Sequence, residues 1–234
     1  MLIDLRFYTV QPGAASHFLA MVEAEGLPIQ RRHCGRMLFC AGVHTGMLNT
    51  IVQAWAYRDV RDRDERLARL QVDARWHAFG ERALPLVRRE ENRLLRTTAF
   101  TTAAEPFTGT SIVDLRTYTF APGTLNRFLA LCESRGIETQ RRHCGHLVFH
   151  AISETGILNQ LVQAWAYRGL DDYQQRQHAL LGDATWQHAY RAQALALAVE
   201  QSHVLLETTT FSPTVDTRIV PQDRLPGGEA TPDG

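Results

Sequence analysis

The sequence contains no lysine, and all 25 of its basic residues are arginine. A Schiff-base or lysine-base mechanism is therefore excluded. The 25 basic residues are balanced by 25 acidic ones, so the basic excess typical of a nucleic-acid-binding protein is absent. No apolar run approaches the roughly 18 residues of a membrane span. We expect neither nucleic acid nor a membrane as a partner.

Cysteine is also scarce. Four cysteines in 234 residues are too few for the dense disulfide framework of a small secreted fold. The sequence starts directly with a predicted strand and not with a secretory signal, so we expect a cytoplasmic protein with reduced thiols. P-loop, G-x-G-x-x-G and G-x-S-x-G motifs are missing, which argues against nucleotide cofactors and a hydrolase elbow. No ligand pattern marks a metal site. We expect a protein that needs no cofactor.

A tandem repeat is the main feature that the sequence does contain. Three motifs occur twice with a constant offset of 110 residues: DLRFYT at 4–9 and DLRTYT at 114–119, QRRHCG at 30–35 and 140–145, and VQAWAYR at 52–58 and 162–168. Beyond Trp76 and Trp186 the offset becomes 111. Two copies of this size predict two domains or two halves of one barrel, and not a solenoid.

The repeat also defines the domain boundaries that we predict. The predicted units are repeat 1 at 1–101, a linker at 102–110, repeat 2 at 111–211 and a C-terminal tail at 212–234. The tail is rich in Pro, Gly and Asp and has weak hydrophobic periodicity, so we expect it to be poorly ordered.

Hydrophobic periodicity predicts an α+β fold with the same element order in both repeats. In repeat 1 the strand, amphipathic helix, hairpin, charged helical stretch and closing strand are predicted at Leu2–Val10, 15–25, 36–57, 60–87 and Asn92–Phe100. Gly26 and Gly136 are expected to end the first helix of each repeat in a left-handed conformation. The order β-α-β-β-α-β is that of a ferredoxin-like unit.

A ferredoxin-like sheet carries helices on one face and leaves the other face bare. We predict that the two bare faces meet, which makes the chain a dimeric-α/β-barrel-type pseudo-dimer of eight strands. Along the third strand, Thr50, Val52, Ala54 and Ala56 are small, so we expect them to lie beneath the helices. The alternate residues would then line the barrel lumen.

The predicted lumen rows combine charged, aromatic and amide side chains, which is typical of a small-molecule pocket. The candidate catalytic residues in them are Arg6, Tyr8, Arg116 and Tyr118, and the candidate substrate-binding residues are Gln53, Trp55, Tyr57, Gln163, Trp165 and Tyr167. A structural network without any ligand is the alternative, because buried charges need partners whatever the function.

The QRRHCG segments are a second candidate site. Their arginines could lower the thiol pKa of the neighbouring cysteine, and Arg32 or Arg142 could bind an anionic substrate. A structural corner explains the same residues. His143 of this segment is a candidate catalytic residue of repeat 2. The repeats differ where Cys40 becomes His150, so His150 is another candidate catalytic residue of repeat 2. Neutral drift between the copies explains that difference equally well.

Three motifs together resemble the NIPSNAP family of the dimeric α/β-barrel superfamily: DLRFYTVQPG, the G-x-LN-x-x-V-x-AWAYR run and the R-x-x-L…D-x-x-W-x-x-F stretch. The resemblance covers residues 2–101 and 112–211 and implies the same fold. The superfamily includes cofactor-free monooxygenases, isomerases, decarboxylases, haem enzymes and binding proteins. Family members often have histidine at the positions of Gln53 and Gln163, which implies a different pocket here.

The resemblance and the lumen rows together favour a cofactor-independent enzyme of small-molecule metabolism. We expect an isomerase, cyclase, lyase or monooxygenase-like activity on an aromatic or carbonyl-bearing metabolite in the lumen. The alternative is a non-catalytic ligand-binding or scaffold barrel, which could also bind haem. We further expect a homodimer, although a tandem repeat can close a barrel within one chain.

Overall fold

The computed structural model of the chain describes residues 1–102 and 109–213, and it shows the same element order twice. Repeat 1 contains β1 (Leu2–Val10), α1 (Ala15–Met21), α2 (Leu27–His33), β2 (Arg36–Val43), β3 (Thr50–Tyr57), α3 (Val60–Gln71), α4 (Ala74–Ala83) and β4 (Val87–Thr97). Repeat 2 contains β5 (Ile112–Phe120), α5 (Leu125–Leu131), α6 (Ile137–His143), β6 (His146–Ser153), β7 (Gln160–Tyr167), α7 (Leu170–Gly182), α8 (Ala192–Leu197) and β8 (Ala198–Thr208). Most of the predicted linker and tail, at 103–108 and 214–234, lies outside the described residues.

All eight strands form one closed barrel in the order β1-β3-β2-β8-β5-β7-β6-β4. Each repeat supplies four consecutive antiparallel strands, and the two halves join where β2 pairs with β8 and β4 pairs with β6. The predicted α+β pseudo-dimer of two ferredoxin-like repeats is therefore confirmed.

In the part of the chain that the structure describes, no helix combines the length and apolar character that crossing a bilayer requires.

The barrel lumen is filled by small and medium apolar side chains from both repeats. Val52, Ala54 and Ala56 lie there, and at the centre the rings of Phe39 and Phe149 stack with 6.5 Å between their centroids. The predicted facing of the strands was therefore wrong. An eight-stranded barrel is just wide enough for side chains to fill, so small residues occupy its interior and the large Trp and Tyr side chains take the wider layer beneath the helices.

The two helix-side cores contain the rows that we had predicted inside the lumen. Trp55 and Tyr57 pack with helical residues of repeat 1, and Trp165 and Tyr167 do the same in repeat 2. These clusters contain residues of one repeat each, apart from Phe211 and Phe100, which each pack against the other repeat's cluster. Each repeat therefore builds its own sheet–helix layer, while the lumen is shared.

The predicted left-handed caps at Gly26 and Gly136 were also wrong. Both glycines have negative φ and lie in π-helical turns, Val22–Gly26 and Cys132–Gly136. A Cβ at Gly26 would lie 2.8 Å from the ring of Phe79, and one at Gly136 would lie 2.4 Å from the ring of Tyr190. Glycine is needed at both positions because an aromatic ring, that of Phe79 or of Tyr190, packs directly against the backbone there.

The change of offset from 110 to 111 has a local structural cause. Where repeat 1 has the regular helix α4, repeat 2 has a π-helical segment at Thr185–Arg191 before α8. A single inserted residue in a helix is commonly absorbed as a π-bulge, often at a functional site. The insertion lies between Trp186 and Tyr190, which both line a cavity described below.

The QRRHCG segment forms a tight corner between α2 and β2, and again between α6 and β6. Gly35 and Gly145 pack on the backbone of the neighbouring strand, and Arg66 and Arg176 donate hydrogen bonds to the carbonyl oxygens of Cys34 and Cys144. Burial raises the thiol pKa of both cysteines, so the prediction that nearby arginine activates the thiol was wrong. The geometry of the segment is that of a structural corner.

Replacing Gly35 or Gly145 with alanine is expected to lower the free energy of unfolding by about 1–3 kcal/mol, the usual cost of overpacking a tight site. The added Cβ would lie 2.1 Å from the Ala56 carbonyl oxygen and 2.0 Å from the Ala166 carbonyl oxygen, respectively. Urea unfolding measures the change. Gly42→Ala is the matched control, because a Cβ there meets no atom within 4 Å. Equal losses in all three variants would contradict the steric explanation.

His150 of β6 lies at the seam between the two repeats, where β4 pairs with β6 and the segment after β4 packs against it. The Thr98 hydroxyl contacts His150 Nδ1 at 2.9 Å, the Phe100 ring packs edge-on against the imidazole, and Nε2 is buried without a hydrogen-bond partner. Burial lowers the pKa of His150 to about 3. This histidine is therefore held neutral in the folded chain.

Because the pKa of His150 is lowered in the folded chain, the folded chain is expected to lose stability as the pH falls. Below the ordinary pKa of 6.5 the unfolded chain binds a proton at His150 that the folded chain does not, so stability falls by about 1 kcal/mol per pH unit as the pH drops towards 3. His150→Cys, which introduces the residue of repeat 1, is expected to remove this part of the acid sensitivity. Urea unfolding at about pH 7 and about pH 4.5 tests this, with the exposed His178→Gln as control. The prediction fails if wild type and His150→Cys lose equal stability.

Candidate functional site

Each repeat has a cavity between its half of the sheet and its helices. In repeat 1 this cavity has a volume of about 430 Å³. Its lining residues come from β1, β3, β4 and all four helices: Tyr8, Phe18, Val22, Gln30, Gln53, Gln71, Trp76, His77, Phe79, Gly80, Glu81, Ala83, Leu84, Val87 and Glu90. Aromatic walls combined with polar side chains are typical of a small-molecule site. We call it cavity 1.

An ion-pair network supports the sheet side of cavity 1. Asp4 is fully buried and accepts hydrogen bonds from Arg6 at 2.8 Å and from Arg63 of α3 at 2.8 Å. Although burial raises the pKa of Asp4, the two guanidiniums outweigh it and the net pKa is lowered. The positive charge of Arg6 in turn acts on Tyr8, which lines the cavity and whose pKa is raised by burial. Tyr8 therefore remains a neutral hydrogen-bond donor.

The amide row is oriented by the buried tryptophans. The Trp55 indole donates to Gln53 Oε1 at 3.2 Å, and Trp165 donates to Gln163 Oε1 at 3.1 Å. Gln53 and Gln163 line the cavities, whereas the two tryptophans are fully buried behind them. Tyr57 and Tyr167 are buried in the same layer and are not among the described residues that line the cavities between the sheet and the helices. These aromatic residues position the site and do not face its open space.

Repeat 2 has two adjoining cavities in the corresponding place, with volumes of about 180 and about 370 Å³. Both are lined by Arg116, Tyr118, Gln177 and Gln201, so we treat them together as cavity 2. The inner part reaches Gln140, Gln163, Trp186, Tyr190 and Arg191 beneath the helices, and the outer part opens past Tyr173, Ser202 and His203.

The ion-pair network beside cavity 2 differs from that beside cavity 1. Asp114 is fully buried and paired with Arg116 at 2.6 Å, but its second partner is His203 of β8 at 3.3 Å. The hydrogen bond to Asp114 raises the pKa of His203. The positive charge of Arg116 also acts on Tyr118 and Tyr173. The outer part of cavity 2 is therefore built around one buried guanidinium with two phenols and an imidazole.

The remaining predicted site residues lie away from both cavities. His143 contacts Asp183 at 2.9 Å and ties the end of α6 to the following helical layer. Arg32 is exposed, Arg142 approaches Asp183 only at 3.8 Å, and His150 occupies the seam. The structure thus brings Arg116, Tyr118 and Gln163 together in one cavity, and Tyr8 and Gln53, with Arg6 behind Tyr8, at the other. It does not bring Arg32, Arg142, His143 or His150 there.

Sequence reasoning missed several residues that line the cavities, chiefly Trp76, Glu90, Arg191 and His203. The differences between the copies on β4 and β8 were the available signal, since Glu90 becomes Gln201 and Asn92 becomes His203.

A further cavity of about 300 Å³ opens at one end of the barrel lumen and is lined by Phe7, Val52 and Leu115. Among residues 1–102 and 109–213, no group of three His, Cys, Asp or Glu side chains is placed to hold a metal ion.

Comparison with known structures supports the fold. A monooxygenase, provisionally assigned as such, from Fusobacterium nucleatum superposes on 88% of this chain and 91% of its own with a TM-score of 0.62. At 9% identity this likeness concerns the fold alone. No curated protein matches the chain.

Two solved structures with higher sequence identity each align with less than half of this chain. An uncharacterised NIPSNAP domain protein from Burkholderia xenovorans is 33% identical, with 44% of this chain and 99% of that chain covered and a TM-score of 0.43. A NIPSNAP family protein of unknown function from Agrobacterium tumefaciens is 34% identical, with 44% and 94% covered and a TM-score of 0.43. The family model described as NIPSNAP matches residues 3–102 and again 113–213. The chain therefore belongs to the NIPSNAP family and contains two NIPSNAP repeats.

Proposed function

We propose that the protein binds a small aromatic, carbonyl-bearing molecule in cavity 1 and transfers a proton on it without a cofactor. The observation that carries this proposal is the cavity of about 430 Å³ with Tyr8 and Glu90 on adjacent strands of its floor. Trp76 and Phe79, whose ring centroids are 5.2 Å apart, offer an aromatic wall for a flat ligand. The proposed site is thus beneath the helices, and not in the lumen.

The reaction follows from the side chains that face the cavity. Tyr8 donates a hydrogen bond to the carbonyl oxygen, and Arg6 behind it stabilises negative charge that develops there. Glu90 lies directly opposite Tyr8 in the β1–β4 register. It would accept the proton of the adjacent carbon, whose C–H electron pair moves into the enolate. Return of the proton to another position completes an isomerisation.

The second candidate function is non-catalytic ligand binding. The filled lumen favours it, because the Phe39–Phe149 stack leaves the barrel centre as an ordinary apolar core. In that case cavity 1 holds a ligand, and the carboxylate of Glu90 only contributes a hydrogen bond or charge. Binding without proton transfer is the result that separates this candidate from the first.

Proton transfer in cavity 1 can be tested with acetophenone as a carbonyl probe in deuterated water. We expect the protein to accelerate loss of the methyl protons, followed by NMR, and expect Glu90→Gln and Tyr8→Phe each to lower the rate about 10²-fold, the low end of acid–base effects. Glu91→Gln is the matched control, since Glu91 is the next residue and faces the lumen end instead.

The outcomes of this test are distinct. Unchanged exchange in Glu90→Gln would overturn the assignment of the base, and equal losses in Glu90→Gln and Glu91→Gln would indicate a non-specific effect. If acetophenone binds in a Trp76-dependent manner without any exchange, the binding function is correct. Absence of both binding and exchange, with wild-type folding, would contradict the proposal.

A further inference from the structure

The two cavities are equivalent in the repeat but carry opposite charge. Among the described residues, the carboxylates of Glu81 and Glu90 line cavity 1 together with His77, and no arginine lines it. In the same part of the chain, Arg116 and Arg191 line cavity 2 together with His203, and no carboxylate lines it.

The reversal arises from substitutions at corresponding positions. Glu90 and Gln201 occupy the same place, opposite Tyr8 and Tyr118 in the register of their strand pairs. On the helical side, Gly80 and Glu81 of repeat 1 become Arg191 and Ala192 of repeat 2. Each of these changes removes a negative charge or adds a positive one, so together they make the lining of cavity 2 more positive than that of cavity 1.

The buried ion pairs also differ between the two repeats. Asp4 is paired with two guanidiniums, those of Arg6 and Arg63. At the position of Arg63, repeat 2 has Tyr173, and among the described residues Arg116 is the one guanidinium that pairs with Asp114. Tyr173 leaves the outer part of cavity 2 open, with a volume of about 370 Å³ around Arg116.

An unpartnered polar atom also faces cavity 2. Gln140 is 2% exposed, lines the inner part of the cavity, and its Oε1 atom has no hydrogen-bond partner. A buried amide oxygen without a partner costs free energy. A ligand with a hydroxyl or N–H group would satisfy it.

We propose that cavity 2 is a separate binding site for a small anionic molecule that also carries a hydroxyl group, with Arg116, Arg191 and His203 as the groups that recognise the anion. Arginine suits this role because its planar guanidinium matches a carboxylate. This inference deepens the proposed function, since it assigns a second ligand class to the equivalent site of repeat 2. A carboxylate of aromatic size with a ring hydroxyl is the simplest such ligand.

The affinity of this site should depend on pH in a defined direction. The charged and titratable groups that face His203 are Asp114, Arg116 and Tyr118 of β5 and Tyr173 of α7. Arg116, Tyr118 and Tyr173 all have raised pKa values, so they keep their protons through neutral pH. His203 has a raised pKa and loses its positive charge as the pH rises through that value, so anion affinity should fall as the pH is increased.

The test uses 4-hydroxybenzoate as anionic probe and benzamidine as cationic counter-probe, with binding measured by calorimetry on the full chain. We expect Arg191→Gly and His203→Asn, which introduce the residues of repeat 1, each to weaken 4-hydroxybenzoate about tenfold, equivalent to one charge-assisted hydrogen bond. His203→Asn should also abolish the pH dependence. Glu90→Gln in cavity 1 should leave 4-hydroxybenzoate unchanged and weaken benzamidine.

The proposal is overturned if 4-hydroxybenzoate does not bind, or if neither repeat 2 variant weakens it. It is also overturned if Glu90→Gln affects the anion as strongly as Arg191→Gly does, because the anion would then occupy cavity 1. These results are independent of acetophenone exchange, which reports on cavity 1. Failure of one proposal can therefore be recognised without failure of the other.

Discussion

The width of the eight-stranded lumen determines where every other part of the molecule can be. A closed barrel of this size has room for side chains but not for tryptophan rows from both halves. Val52 and Ala54 therefore face inwards with their repeat 2 counterparts, and the Phe39–Phe149 stack fills the centre. Because side chains alternate along a strand, the Asp-Arg-Tyr and Gln-Trp-Tyr rows must then lie beneath the helices. The candidate sites are a consequence of this exclusion.

Because of the same constraint, the two repeats share the lumen core, whereas each repeat has its own core between the sheet and the helices. The lumen core mixes residues of both halves, so a change at Phe39 is felt by Phe149. The helix-side layers are almost entirely built from one repeat each. Substitutions there do not disturb the other half, which explains how Glu90 and Gln201 can differ while the strands that carry them stay in register.

Much of the fold could be predicted from the sequence, because the repeat and the strand alternation are local patterns. β1 at Leu2–Val10 has the predicted bounds, and β2 and β3 together span the hairpin predicted at 36–57. Alternation fixes which residues share a face, but it does not say which face is inside, and small residues suit either location. The pairing of Asp4 with Arg63 spans 59 positions in the chain. No periodicity in the sequence indicates such a contact, so the network and the cavity beside it required coordinates.

Fusion of two repeats also changes what the barrel can become. A barrel formed by two identical chains has two identical sites, since a two-fold axis relates them. In the fused chain no symmetry operator ties repeat 1 to repeat 2, and each site can acquire its own residues. The π-helical insertion before Arg191 and the pairing of Asp114 with His203 occur in repeat 2, whereas repeat 1 has a regular α4 and Asn92 at the corresponding places. The asymmetry lies around the cavities, and the strand order and the lumen are retained in both halves.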